Sequence, residues 1–291
     1  MNITPFQALA CPLDGEPLRQ GDRTWHCAGG HSFDIARQGY VHLLPVQRKR
    51  SRDPGDSTDM VAARQRFLAA GHYRPIAEAV SRAALEGLPA DAMAHCLDAG
   101  CGEGHYLREL ARFADGKPPL ALLGLDISKP AVLAAAKQDK RARWVVGSNA
   151  RLPVLSATLD RLLCLFGFPV YDEFARVLKP GGLLLQVDAG PDHLRELREI
   201  IYPTLKPERA GSPETPPGFT LLGTETIRYP LKLAGAQPIA DLLAMTPHLY
   251  RANAEGRARA AALETLTVTV DVRLMRLERA PGVGPRLLID L

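Results

Sequence analysis

Short apolar runs alternate with helical text through the middle of the chain: AHCLDAG at 94–100, LALLGLD at 120–126, RWVVGS at 143–148, LDRLLCLF at 159–166 and GLLLQVDAG at 182–190. Strands separated by helix-length segments require crossover connections, so the pattern predicts an α/β fold with a mostly parallel sheet buried on both faces. Upstream, residues 60–85 read as helix, broken at Gly71 and restarted at Pro75, which suits the first helical position. Near the end, Leu266, Val268, Val270, Val272 and Leu274 alternate with polar neighbours, a period of two that predicts an antiparallel strand with one wet face.

The flanks read differently. Residues 1–45 are rich in turn formers and too poor in apolar periodicity to bury a core of their own, so a staple such as a metal is expected there. Residues 46–59 contain QRKRSRDPGDS, whose Pro54-Gly55 pair and charge density mark a basic linker. The stretch 203–218, with Pro203, Pro207, Pro213, Pro216 and Pro217, reads as a loop, and 279–291 as a flexible tail. The expected organisation is a recognition module at 1–45, a linker at 46–59, a catalytic domain at 60–278 and the tail.

Composition adds little: 46% hydrophobic and 23% charged residues are ordinary for a globular chain of 291, and a net charge of +4 is compatible with a polyanionic partner without requiring one. The cysteines (Cys11, Cys27, Cys96, Cys101, Cys164) are odd in number and scattered, and the first ten residues show neither a basic start nor a long apolar run. These features argue against export and a disulfide framework, and no apolar stretch approaches the ~18–20 residues a bilayer needs, so a cytoplasmic protein with no membrane association is expected.

The chemistry concentrates in Asp98-Ala-Gly-Cys-Gly-Glu-Gly104, which follows the first central strand and precedes helical text. Gly100, Gly102 and Gly104 there permit positive φ and close ligand approach at the carboxyl edge of the sheet, with Asp98 and Glu103 beside them. Asp126 closes the next strand, where a carboxylate can accept both hydrogen bonds of a ribose diol. A dinucleotide enzyme has a similar fingerprint. The GxGxG spacing, however, suits a methionine moiety better than a pyrophosphate seated on a helix end. Gly147-Ser148-Asn149 before Leu152-Pro153 is similar to an adenine-contacting loop, and Arg176-Val-Leu-Lys-Pro-Gly-Gly182 precedes the fifth strand. In that order the elements resemble class I methyltransferases, which implies S-adenosyl-L-methionine as cofactor and a Rossmann-like, mostly parallel seven-stranded sheet.

Cys11-x2-Asp14 and Cys27-x3-His31 have the two-pair layout of a small zinc site, with Asp14 where a second thiolate is expected. Asp14 in Pro12-Leu13-Asp14-Gly15 is equally ordinary turn chemistry, which leaves open a module that has lost its metal. Cys96, Cys101 and Cys164 fall on or beside strands and read as small buried apolar groups. Arg48, Lys49, Arg50 and Arg52 form a local basic run, either a solvated linker or an RNA phosphate contact.

One family resemblance covers nearly the whole chain. Cys11-Pro12, His31-x-Phe33-Asp34, Gly39-Tyr40-Val41, Lys49-Arg50-Ser51-Arg52-Asp53-Pro54-Gly55-Asp56-Ser57, Ala70-Gly71-His72-Tyr73, Gly190-Pro191-x-His193-Leu194 and Met245-Thr246-Pro247 resemble the bacterial 23S rRNA (guanine-N1)-methyltransferases. The resemblance implies a homodimer with a zinc-ribbon-like N-terminal module, methylating guanine N1 in a domain II hairpin of 23S rRNA. It also implies cofactor contacts at Tyr73, Gly102, Glu103 and His193, beside the fold-derived Asp126 and Asn149. The chain departs from the family at Asp14, which stands for a cysteine, and at Phe166-Gly167-Phe168-Pro169.

Guanine N1 carries a proton that must leave before the nitrogen attacks, so a base or a field favouring the anion is expected. Asp188 and His193, at and just after the end of the fifth strand, are the candidates, although either could instead bind cofactor or cap the next helix. Tyr73, Phe166 or Phe168 could stack on an extruded guanine. Two alternatives stand beside this reading: a small-molecule methyltransferase whose N-terminal module is a lid, and a non-catalytic RNA-binding or assembly factor that keeps the cofactor fold.

Overall fold

The computed structural model describes residues 2–45, 54–115, 118–204 and 215–281. The basic run Arg48, Lys49, Arg50 and Arg52 lies outside them, as do most of the proline-rich stretch and residues 282–291. The N-terminal segment forms β1 (Ile3–Pro5), β2 (Arg19–Gln20), β3 (Thr24–His26), β4 (Ser32–Asp34) and β5 (Tyr40–His42). Next come α1 (Thr58–Ala69) and α2 (Arg74–Leu85). Ser57 caps α1 by accepting from the Met60 amide at 3.3 Å, and Pro75 sits in the first turn of α2, as its sequence position predicts.

Strand and helix then alternate: β6 (Ala94–Ala99), α3 (His105–Phe113), β7 (Leu120–Asp126), α4 (Lys129–Gln138), β8 (Arg143–Val146), β9 (Leu159–Leu165), α5 (Tyr171–Val177), β10 (Leu178–Ala189) and α6 (Arg195–Ile201). The chain continues through β11 (Phe219–Ala234), α7 (Ala236–Ala244), α8 (His248–Arg251), α9 (Ala254–Ala261) and β12 (Thr265–Arg279). The order across the main sheet is β11-β12-β10-β9-β6-β7-β8-β5. The pairs among β6 to β10 are parallel, and β12 runs antiparallel to both β10 and β11.

The expectation of seven strands needs correction: among the described residues the main sheet has nine. The extra two are β1, which extends the sheet beside the first half of β7, and β5, which pairs with β8. Each is three residues long, too short to leave a period in the sequence. The remaining β2-β3-β4 form a separate antiparallel sheet. The wet face expected for the last strand also holds only at its start: Thr265 and Thr267 are exposed, whereas Asp271 and Met275 are buried.

Two apolar layers clad the sheet. Ile76, Val80, Leu107, Leu110, Val132, Leu197 and Leu242, from α2, α3, α4, α6 and α7, pack with one face. Phe6, Leu9, Leu18, Trp25 and Leu43 join Phe174 of α5 on Leu97, Leu123, Leu162 and Leu184 of the other. The first 45 residues thus share the core of the main sheet instead of depending on a staple alone, because their few large apolar side chains cover a sheet face that would otherwise be wet.

Candidate functional site

The carboxyl ends of β6 and β7 bring the glycine loop and two carboxylates together. Asp126 accepts the Gly102 amide on one oxygen and the Ser128 amide on the other, both at 2.8 Å. The loop is therefore pinned to the end of the next strand, with Gly100 at φ 97° and Gly102 at φ 54°, a backbone that a side chain would strain. Gly104 serves packing as well: a Cβ there would lie 2.5 Å from Trp144 Cη2.

Asp98 is fully buried, and neither carboxylate oxygen finds a hydrogen-bond partner among the described residues. Burial, reinforced by the charge of Asp126, pushes its carboxyl up to about 8. Burial also raises Asp126, opposed by the Ser128 and Gly102 amides. Glu103 is held by Arg108 at 2.6 Å and Gln138 at 2.8 Å on one oxygen, while its other oxygen is buried without a partner among the described residues. Beside Gly100 there is open space, with no heavy atom within 4 Å of where a Cβ would stand. A buried carboxylate without a partner among the described residues, two positions before a glycine with open space beside it, suits a cationic ligand, so Asp98, the glycines and Asp126 fit S-adenosyl-L-methionine with its sulfonium, ammonium and ribose hydroxyls.

An aromatic rim stands near this loop. Phe166, just after β9, stacks on His193 with centroids 5.8 Å apart and on Tyr73 at 6.0 Å. His193 is buried, its Nδ1 accepts the Asp271 amide at 3.3 Å, and Tyr73 Oη lies 3.4 Å from Nε2. Asn149 donates to the Phe168 carbonyl at 3.4 Å, tying the loop after β8 to the loop after β9. Phe168 is 88% exposed.

Asp188 belongs to a different group: it accepts from Gln186 Nε2 at 2.7 Å, and Gln186 Oε1 accepts from Tyr171 at 3.0 Å. The three line a cleft with Met275 and Leu277. Burial raises the Asp188 carboxyl, opposed by Gln186 and by Arg273. Asp188 and His193 share no hydrogen-bond partner among the described residues. Sequence reasoning overlooked Arg64 of α1. Its Nη1 pairs with Asp56, its Nη2 donates to the Met245 carbonyl at 2.9 Å, and its Cδ and Nη1 lie 3.7 Å from a Cβ position on Gly102. Nothing in the local pattern distinguishes Arg64 from a solvated helical arginine.

Cys11, Asp14, Cys27 and His31 come together in the N-terminal segment, with one ligand atom from each within 4.8 Å of the others. Cys11 Sγ and Cys27 Sγ lie 3.5 and 3.4 Å from His31 Nδ1, and Cys27 Sγ lies 3.2 Å from Asp14 Oδ2. Zinc bonds of about 2.0–2.3 Å give tetrahedral edges of about 3.3–3.8 Å, so the two sulfur–nitrogen separations fit a zinc ion and the sulfur–oxygen one lies just below that range. The 2.9 Å between His31 Nδ1 and Asp14 Oδ2 is shorter, a hydrogen-bond separation that an ion would spread. Asp14 Oδ1 accepts the Glu16 amide at 2.9 Å, which turns Oδ2 toward the cluster. Cys96, Cys101 and Cys164 are buried free thiols, as their positions on or beside strands predict.

Comparisons with known proteins agree with this geometry. Residues 9–52 match the zinc-ribbon family described as RlmA, N-terminal, and residues 96–182 match a methyltransferase domain family. A protein of Micromonospora griseorubida named as a 23S rRNA (guanine-N(1)-)-methyltransferase is 39% identical, covering 92% of this chain and 96% of that one. The 23S rRNA (guanine(748)-N(1))-methyltransferase of Streptomyces fradiae is 37% identical over 86% of this chain and 89% of its own. YxjB of Bacillus subtilis, named for the same guanine-N1 activity, is 31% identical over 93% and 96%. The fold and site are those of a class I S-adenosyl-L-methionine-dependent methyltransferase. Within that class, the chain belongs to the 23S rRNA (guanine-N1)-methyltransferase family.

Proposed function

We propose that this enzyme methylates guanine N1 in a hairpin of 23S rRNA. The observation that carries the reading is the union, in one chain, of an RlmA-type N-terminal segment and a methyltransferase cofactor loop, matched at 37–39% identity over most of the chain by relatives named for that reaction. S-Adenosyl-L-methionine supplies an electrophilic methyl group. Tyr73, Asp98, Gly100, Gly102, Glu103, Asp126, Asn149 and His193 hold and orient it, supported by the position of the loop and strand-end residues at the carboxyl edge of the sheet and by the contacts of Tyr73 with Phe166 and His193. The protein contributes mainly alignment, since a one-step displacement needs no covalent intermediate on the enzyme.

N1 is paired in a duplex, so the guanine is taken from a loop or extruded, and Phe168, whose ring is exposed, offers it a stacking face. Asp188 is the better candidate to accept the N1 proton, because its raised carboxyl is closer to neutrality than an ordinary aspartate, whereas the His193 ring is committed to Tyr73 and Asp271. Residues 1–45 act as the RNA-recognition module around zinc held by Cys11, Asp14, Cys27 and His31. Within the 46–59 linker, Arg48, Lys49, Arg50 and Arg52 contact phosphate, and 60–278 form the catalytic domain, ahead of the 279–291 tail. The working form is a cytoplasmic homodimer. Among the described residues no helix is long and apolar enough to cross a membrane. Tritium transfer from methyl-labelled S-adenosyl-L-methionine into 23S rRNA, and not into small molecules, tests the reading.

A further inference from the structure

We infer that Arg64, on α1, is the cation that binds the amino-acid carboxylate of S-adenosyl-L-methionine, with Asp56 and the Met245 carbonyl holding its guanidinium over the glycine loop. The inference rests on the cofactor assignment above and adds to it a residue outside the glycine loop and the strand ends.

The charge balance of the pocket leads to Arg64. S-Adenosyl-L-methionine brings two positive groups, a sulfonium and an ammonium, and one negative group. The loop offers Asp98 and Asp126 to the positive groups and the ribose, and the strongest partner for the carboxylate is a cation. Arg108, from α3, is committed to Glu103, donating to its backbone carbonyl and its side chain, both at 2.6 Å. His105 is pushed down to about 4 by burial, with Arg108 and Arg112 adding to the shift, and is neutral. Arg64 remains. Its Cδ and Nη1 pass 3.7 Å from the Cβ position of Gly102, beside the open space at Gly100. Burial raises Tyr73, Tyr106 and Asp126, and at all three the charge of Arg64 opposes the shift, so its charge acts on the same side of the molecule as the glycine loop it passes.

Its position is also fixed. Asp56 pairs with Nη1, and the Asp56 carbonyl accepts from Ser128 Oγ at 2.7 Å, so the segment before α1 is fastened to the turn after Asp126. Met245, at the end of α7, takes Nη2 at 2.9 Å. A guanidinium braced by two protein partners can present a remaining N–H edge to a carboxylate at little cost in side-chain entropy.

The test compares two ligands that differ only in the carboxylate. Calorimetric affinities of the full-length protein for S-adenosylmethionine and decarboxylated S-adenosylmethionine are measured for wild type, Arg64→Gln and Arg64→Lys. The inference expects Arg64→Gln to lose about 10- to 100-fold in affinity for the first and less than about threefold for the second. Arg64→Lys, which keeps the charge and the brace to Asp56, should retain most of the discrimination. Equal losses for both ligands in both variants, or no loss, would overturn the assignment of Arg64 while leaving the cofactor reading intact. A wild-type protein that binds neither ligand would overturn both.

Discussion

His193 accepts the backbone N–H of Asp271 at Nδ1, 3.3 Å away, which leaves its proton on Nε2, the nitrogen facing Tyr73 Oη. Burial further pushes the imidazole down to about 4, with Asp271 opposing the shift and His248 and Arg198 adding to it. A ring that is neutral at physiological pH and has both nitrogens occupied positions its neighbours and has no free lone pair for a proton. The pH profile of methyl transfer for His193→Asn should therefore keep the wild-type shape between pH 5.5 and 8, with the loss appearing in cofactor KM. Disappearance of an inflection on substitution would show that His193 exchanges protons during turnover.

Asp98 predicts proton release on cofactor binding. In the free enzyme its carboxyl stands near 8 because burial disfavours the charge, so it is protonated at pH 7. A cationic ligand favours the carboxylate and lowers that value. Binding should then release a fraction of a proton between about pH 5 and 8, and affinity should rise with pH across that window. Calorimetry in buffers of different ionisation enthalpy measures the release, which Asp98→Asn should abolish. Proton uptake, or none, would contradict this role for Asp98.

Trp144 explains two glycines that motif reading assigns to the ligand or passes over. A Cβ on Gly124 of β7 would overlap the indole ring, and one on Gly104 would lie 2.5 Å from it. Gly124→Ala should cost about 1–3 kcal/mol in denaturant unfolding, as overpacking does. In a Trp144→Leu background the same substitution should cost clearly less, because the ring it strikes is gone. Equal costs in both backgrounds would show that the indole is not the obstacle.

The N-terminal cluster separates metal retention from folding. Protein purified without chelator should carry about one zinc per chain, and Asp14→Cys should slow its loss to a chelator, since a thiolate is the softer ligand. After chelation, near-ultraviolet dichroism should keep most of its signal, because Phe6, Leu9 and Trp25 are buried with the sheet independently of the ion. A collapse of that signal would mean that the ion, and not the shared core, holds residues 1–45 in place.

What could be read from the sequence followed the range of the interactions. β6 to β10, the glycine loop and Asp126 were legible because apolar runs and positive-φ glycines are local signals. The Cys11, Asp14, Cys27 and His31 grouping was legible from ligand spacing alone. The placement of β1 and β5 in the main sheet was not, since three-residue strands are defined by their partners on β7 and β8. Arg64 was invisible for the same reason: its partners Asp56 and Met245 are 8 and 181 residues away, and only the fold sets them around Gly102. Asp188 and His193, five positions apart in sequence, fall in different groups because the chain turns after β10, where the His193 amide donates back to the Gly190 carbonyl at 3.1 Å.

Methyl transfer to guanine N1 in 23S rRNA is tested by nucleoside mass spectrometry of rRNA treated with the enzyme and methyl-labelled S-adenosyl-L-methionine. Label should appear in 1-methylguanosine, confined to one hairpin and absent when the cofactor pocket is disabled by Asp126→Ala. Label in another nucleoside, at another atom of guanine, or in small molecules with unmodified rRNA would contradict it.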